Sequence, residues 1–169
     1  MEEVTLRGTL DAIREDARAY HDWRREAGFW VTLSYRVRRQ RKHGGAGSRL
    51  LLGADLLLGG VRRLVSDTRL PADAEIGPGL CLPHPTGVVL NDRVRIGRGV
   101  AIFQQVTLGE WKGDTPEVED GAALFAGAKV IGGVRVGAGA MVGANAVVHR
   151  DVPAGATVAA PAGVVRERT

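Results

Sequence analysis

Few side chains in this 169-residue chain can move a proton or act as a nucleophile near neutral pH: four histidines and one cysteine. Imidazole is the side chain whose ordinary pKa lies closest to neutrality, so each histidine is a candidate acid or base. His84 stands in Leu82-Pro83-His84-Pro85-Thr86-Gly87-Val88-Val89. His21 and His43 fall in a stretch of helical pattern and read as surface or packing residues. His149 precedes Arg150 late in the chain and reads as a solvated corner. An isolated histidine is ordinarily a satisfied structural residue, so what surrounds His84 has to carry any catalytic role. No His, Cys or Asp cluster has metal-ligand spacing, and no metal is expected. The lone Cys81 excludes an internal disulfide framework and fits a reducing compartment.

Composition narrows the class. Hydrophobic residues make up 44% and charged residues 25%, which is globular, while aromatics are only 5% and glycines number 24. The core is therefore expected to consist of small and branched aliphatic side chains with many tight corners. Residues 1–69 carry 14 Lys/Arg against 9 Asp/Glu, and the rest of the chain 9 against 10. The basic run Arg36–Lys42 has no nucleic-acid recognition motif beside it and reads as a solvated helix face, so no nucleic-acid partner is expected. The start MEEVTLRG is no signal peptide, and the apolar stretch Leu50–Val61 is too short to span a bilayer, which takes about 20 residues. A cytoplasmic protein with no membrane partner is expected.

Two kinds of element must position these side chains. Leu10, Ile13, Ala17 and Tyr20, then Trp30, Leu33 and Val37, recur at helical spacing. The glycine-rich stretch 42–47 interrupts them, and Ser48 is placed to cap a third helix through Leu51, Leu58 and Val65. From Leu70 the period becomes six: Leu70, Ile76, Leu82, Val88, Val94, Val100 and Val106, resuming at Val118, Leu124, Val130, Val136, Val142 and Val148. Neither a helix nor an ordinary hairpin sheet has that period. It describes stacked coils in which each six-residue unit forms a flat side, with small residues such as Ala74, Ala128, Ala140 and Ala146 at the corners. Lys112 falls where an aliphatic residue is due, so the stretch at 109–117 is expected to leave the coil as a loop. The division is a helical region at 1–67 and a solenoid at 68–169.

Several stretches resemble the serine acetyltransferase branch of the hexapeptide-repeat acyltransferases. They are Ile76-Gly77-Pro78-Gly79, the His84 segment quoted above, Gln105-Val106-Thr107-Leu108-Gly109, Ala126-Gly127-Ala128-Lys129-Val130, Val142–Val148 and Asp151-Val152-Pro153. The likeness covers 68–166, and more loosely Gly28-Phe29 and Tyr35-Arg36-Val37. It implies a mainly β fold, a left-handed parallel β-helix behind a small α-helical N-terminal region. It also implies acetyl-CoA as acyl donor, and a homotrimer or dimer of trimers with its sites in clefts between subunits. His84 becomes the general base that takes the proton of an attacking hydroxyl. The CoA side falls on Gly109, Ala126, Gly127 and Ala144, with Arg150, assisted by Arg166 and Arg168, at the nucleotide phosphates.

The departures from that family lie on the acceptor side. Its serine-binding Asp before the histidine is Pro83 here, the Asp that orients the imidazole is Arg69, and the loop's Arg-His pair is Asp114-Thr115. Pro83, Asp114 and Thr115 are thus the acceptor candidates, with Glu110 or Asp114 as a replacement partner for His84. The expected acceptor is a small hydroxyl compound other than free L-serine. Serine acetylation through a rearranged site, or a non-catalytic CoA- or protein-binding role, are the alternatives. The end Arg166-Glu167-Arg168-Thr169 lacks the apolar tip by which family members dock onto the next enzyme of cysteine synthesis, so no cysteine-synthase complex is expected.

Overall fold

A computed structural model describes residues 4–164. Helix α1 spans Leu6–Arg18, and Thr5 caps it by accepting a hydrogen bond from the Gly8 N–H at 3.1 Å. Helix α2 spans Ala27–His43, with Arg41, Lys42 and His43 in its last turn, where cations suit the helix dipole. A short 3₁₀ segment at Ala46–Leu51 leads into α3, Leu52–Val65. Ser48 lies inside that segment and caps nothing. Its hydroxyl donates to the carbonyls of Arg41 and Gly45 instead, tying the glycine-rich break to the end of α2. Helix α3 buries Asp55 between Arg38 and Arg41 and turns Leu56, Leu57 and Leu64 outward. None of the described helices is long and apolar enough to cross a membrane.

The remainder is a left-handed solenoid of about five turns, triangular in section. Left-handed winding departs from the right-handed crossover that parallel strands ordinarily follow. The first side stacks Glu75–Ile76, Arg95–Ile96, Glu117–Val118 and Arg135–Val136. The second stacks Ala101–Ile102, Ala123–Leu124, Met141–Val142 and Thr157–Val158, with Cys81 bridged to Ala101 below them. The third stacks Val89–Leu90, Thr107–Gly109, Lys129–Ile131 and Val147–Val148, with Arg69 bridged to Val89. Every pairing is parallel and in register.

Each side turns two side chains inward rather than one. Val94 and Ile96, Val100 and Ile102, Ala122 and Leu124, and Ala140 and Val142 are all buried. The small residues Ala74, Ala128, Ala140 and Ala146 are therefore the first of these interior positions, not corner fillers. The period of six holds, but its single phase does not. Ile76 pairs with Ile96, not Val94, and Ile96 pairs with Val118. A regular coil repeats after 18 residues, as from Val89 to Thr107. The step is 20 from Cys81 to Ala101 and 22 from Thr107 to Lys129. Two residues are inserted at the His84 corner and four in the loop after Gly109. Together they make one complete hexapeptide, so the aliphatic count resumes in step although it has moved between the two interior positions.

A coil has no hydrogen-bond partner within itself, so the first coil would leave a row of bare backbone groups. Helices α1 and α2 cover that end. The Tyr35 hydroxyl donates to the Ala74 carbonyl at 2.7 Å, and Arg36 donates to the carbonyls of Ile76 and Gly77 at 2.5 and 2.6 Å. Asp16 accepts from the N–H groups of Gly79 and Leu80, and the Tyr20 hydroxyl from that of Leu82. Burial raises the pKa of both phenols, so they stay protonated. Asp16 and Arg36 also pair with each other through two hydrogen bonds of 2.8 and 3.0 Å, their side chains 1% and 6% exposed. Gly28 lies so close to the Leu82 carbonyl that a Cβ there would overlap it, which lets α2 seat on the coil. Removing one member of a buried ion pair leaves an unpaired charge and costs about 3–5 kcal/mol. Asp16→Ala is therefore expected to lower unfolding stability by that much in urea denaturation, and more than Asp11→Ala, whose ion pair with Arg14 is exposed. Equal losses for the two variants would remove Asp16 from the cap.

Candidate active site

Three edges run along the prism, and the candidate residues occupy two of them. The edge between the second and third sides carries the corner segments 83–88, 103–106, 125–128 and 143–146. It therefore aligns Pro83 and His84 with Ala126, Gly127 and Ala144. Its turns need a left-handed residue in every coil, supplied by Gly87, Gln105, Gly127 and Asn145 at φ of 66°, 59°, 73° and 57°. At Gly127 a Cβ would also overlap the Asn145 side chain, so glycine is required there for two reasons. Ala144 is exposed and Ala126 half-buried. Beside them, Lys129 Nζ is held by the carbonyls of Gln105 and Gly127 at 2.9 and 2.7 Å, placing a cation on the same edge.

The His84 corner bulges because of its two extra residues. Pro83 and Pro85 have no N–H with which to continue the coil-to-coil ladder. The turn is held from outside the solenoid by the segment that leaves α3. Ser66 Oγ donates to the Pro85 carbonyl, and the Gly87 N–H donates to Asp67 Oδ1 at 2.7 Å. Within the turn the Thr86 N–H donates to the His84 carbonyl at 2.8 Å, and the next coil reaches it through the Gln105 N–H to the Thr86 carbonyl. The imidazole is exposed and no side chain among the described residues hydrogen-bonds it. Its nearest ring is Phe103, centroids 6.5 Å apart at 60°.

Gly109, Asp114, Thr115 and Arg150 lie on a different edge, between the third and first sides. The stretch after Gly109 is a tight hairpin: Trp111 and Asp114 exchange two backbone hydrogen bonds, with Lys112 and Gly113 at φ of 52° and 92°. A positive φ at both central residues is the two-residue turn that suits a hairpin's twist. Asp114 packs its Cβ against Gly133, and Thr115 donates to the Arg93 carbonyl at 3.1 Å. Glu110 pairs with Arg93 at 2.7 Å. Neither Glu110 nor Asp114 reaches the His84 ring within one chain, and Arg69 is exposed on the third side. Arg150 and His149 are both exposed near the last coil. One side of six residues, at about 3.3 Å each with its corners folded in, separates the two edges by roughly 15–20 Å.

The remaining candidates are structural. His43 contacts Asp73 at 2.9 Å, and Lys42 beside Asp73 holds that carboxyl below its usual range. His21 is exposed. Burial pushes the Cys81 thiol up, away from nucleophilic duty, with Glu26 adding to the effect. Among the described residues no three His, Cys, Asp or Glu side chains converge as a metal ion would require. Arg166 and Arg168 lie outside the described residues. The sequence reading passed over Ser66, Asp67 and Phe103. Ser66 and Asp67 stand between two regular patterns, and Phe103 occupies an ordinary corner position, so only their neighbours mark them.

A triangular left-handed β-helix of stacked six-residue sides is the fold of the hexapeptide-repeat acyltransferases. Comparisons with known proteins narrow the class. No family model matches the chain. It is 43% identical over 97 residues to the chloroplastic serine acetyltransferase 1 of Arabidopsis thaliana, covering 54% of this chain and 31% of that protein. It is 35% identical over 98 residues to serine acetyltransferase 2 of the same plant, covering 55% and 30%. Among solved structures, a serine acetyltransferase in complex with cysteine matches with a TM-score of 0.75 and 30% identity, over 95% of this chain and 71% of that one. A serine acetyltransferase in complex with CoA matches with a TM-score of 0.71 and 29% identity, over 90% and 67%. The chain belongs to the serine acetyltransferase-like hexapeptide-repeat acyltransferases. It spans between about a fifth and a third of the length of the curated relatives it matches.

Proposed function

We propose that the protein transfers an acetyl group from acetyl-CoA to a hydroxyl of a small acceptor other than free L-serine, with His84 as general base. The observation that carries this reading is the single edge on which the exposed imidazole lines up with the small residues Ala126, Gly127 and Ala144, Ala144 being exposed and Ala126 half-buried. The pantetheine arm of CoA is long and thin, and small side chains let it lie along the backbone. Neutral His84 takes the proton of the acceptor hydroxyl as its oxygen attacks the thioester carbonyl. The C–S bond then breaks, and the imidazolium returns the proton to the departing thiolate. No covalent enzyme intermediate is needed. Arg150, on the same edge as Asp114 and Thr115, is assigned to the nucleotide phosphates of CoA bound along the His84 edge of a neighbouring copy.

The acceptor reading rests on charge. A free amino acid brings an ammonium and a carboxylate, each of which needs an opposite charge in a partly dry cleft. Pro83, beside the base, supplies neither. Asp114 and Thr115 offer a carboxylate and a hydroxyl, which suit a polyol or an amino-bearing acceptor. They stand on the other edge, so they reach a bound acceptor only from a neighbouring copy, and this favours a trimer with its sites between subunits. L-Serine as acceptor is the second reading, favoured by the names of the relatives, all of them serine acetyltransferases.

His84→Ala is expected to lower kcat by about 10²–10⁴, the usual worth of a general base, with little change in CoA affinity. Normal turnover by this variant would make His84 structural. In a panel of sugars, polyols and amino acids, kcat/KM for L-serine is expected to fall about a hundredfold or more below the best acceptor, because buried polar groups without partners reject a ligand by several kcal/mol. Efficient acetylation of L-serine by the unmodified protein would put the second reading in first place. Thiol release with no acceptor in the panel would leave a CoA-binding protein. Sedimentation is expected to give a trimer or a multiple of it, and a fully active monomer would sink the inter-subunit site.

A further inference from the structure

A general base must present its nitrogen in one direction, and torsions about an sp³–sp² bond such as His χ2 are broad. Hydrogen bonds ordinarily supply the restraint, but among the described residues no carboxylate of the same chain is hydrogen-bonded to the ring. Asp67 spends Oδ1 on the Gly87 N–H, Glu110 is paired with Arg93, and Asp114 packs on Gly133 at the other edge. The backbone beneath His84 is already stiff, since prolines flank it on both sides and Ser66, Asp67 and Gln105 tie the turn down. What remains free is the rotation of the ring.

One coil along the same edge, Phe103 presents its ring to the imidazole at 6.5 Å between centroids and 60° between planes. That is the tilted geometry aromatic pairs favour. Phe103 is itself stacked on Phe125, a further coil along, at 5.1 Å and 20°. Both rings are half-buried, so a column of three rings climbs the edge from His84 toward Ala126 and Gly127.

We propose that Phe103 is a positioning residue for His84: ring packing, with Phe125 fixing the Phe103 rotamer, takes the place of the missing carboxylate in limiting rotation of the imidazole. The step from orientation to rate rests on the reading of His84 as the base, but the orientation itself does not. The column continues as an apolar wall, so whatever hydroxyl compound reaches His84 meets Phe103 beside its reacting group.

The test uses the full chain with ¹³C,¹⁵N-labelled histidine, the four histidine Cε1–Hε1 signals being assigned with His84→Ala. In the wild type the His84 signal should be displaced by the Phe103 ring current from the position of exposed His21. Phe103→Leu should collapse it onto the His21 position, Phe125→Ala should move it part of the way, and Phe103→Trp should keep it displaced. In thiol-release assays with acetyl-CoA, L-serine and the acceptor panel, Phe103→Leu should lose about tenfold or more in kcat, the cost of a misaligned reacting group, with KM for acetyl-CoA unchanged. Phe103→Trp should retain most of the rate. Circular dichroism checks that each variant folds, and an unfolded Phe103→Leu leaves Phe103→Trp and Phe125→Ala to decide. A His84 signal unmoved by the variants that fold overturns the proposal, as does a displaced signal with kcat unaltered. If the wild type turns over no acceptor, the acyltransferase reading fails, and the resonance arm still decides whether the imidazole packs on Phe103 in solution.

Discussion

Everything in this molecule depends on one constraint: a flat coil of backbone can pair only with the coil above and the coil below. The interior is a column of Val, Leu, Ile and Ala residues. Burying each large aliphatic is worth about 1.5–3 kcal/mol, but only after neighbouring coils have closed around it. The first coil has nothing below it, and the helices stand in for that missing neighbour. Asp16 accepts where carbonyls would have accepted, and Arg36, Arg39 and Tyr35 donate where N–H groups would have donated. The Asp16–Arg36 pair lies where these two sets meet, which is how a charged pair comes to be buried between a helix layer and a β-helix.

The same constraint explains why chemistry gathers at the edges. A residue inserted within a side would shift the inward–outward alternation and turn core residues into solvent. At a corner the chain has already turned, and extra residues bulge outward while the next side keeps its register. The His84 turn and the hairpin around Lys112 and Gly113 are the two places where this has happened. One gives an exposed imidazole on a stiff bulge, the other a projecting loop with a carboxylate and a hydroxyl. They stand on adjacent edges of one prism, a full side apart.

Along the edge that carries His84, small residues persist where the coils are in closest contact, since any side chain with bulk at Gly127 collides with the next coil. Beside His84 itself the neighbouring surface is aromatic, from Phe103 and Phe125.

The period of six, the helices that precede it and the break in the coil after Gly109 were all legible in the sequence. Each is local or strictly periodic, and a repeat imposes its pattern on residues close together in the chain. Which phase of the period faces inward was not legible, because two insertions that complete one hexapeptide leave the count unchanged. Ser48 read as a cap because its local pattern is that of one, and the fold drew its hydroxyl back to Arg41 and Gly45. The partition of Pro83, His84, Ala126, Gly127 and Ala144 from Gly109, Asp114, Thr115 and Arg150 depends on which corner each occupies, which only the winding decides. Likewise the roles of Asp16, Ser66, Asp67 and Phe103 arise from groups tens of residues distant, or one coil away. Tertiary structure decided them because a backbone group at an open end, and a ring on an edge, take their partners from whatever the fold places beside them.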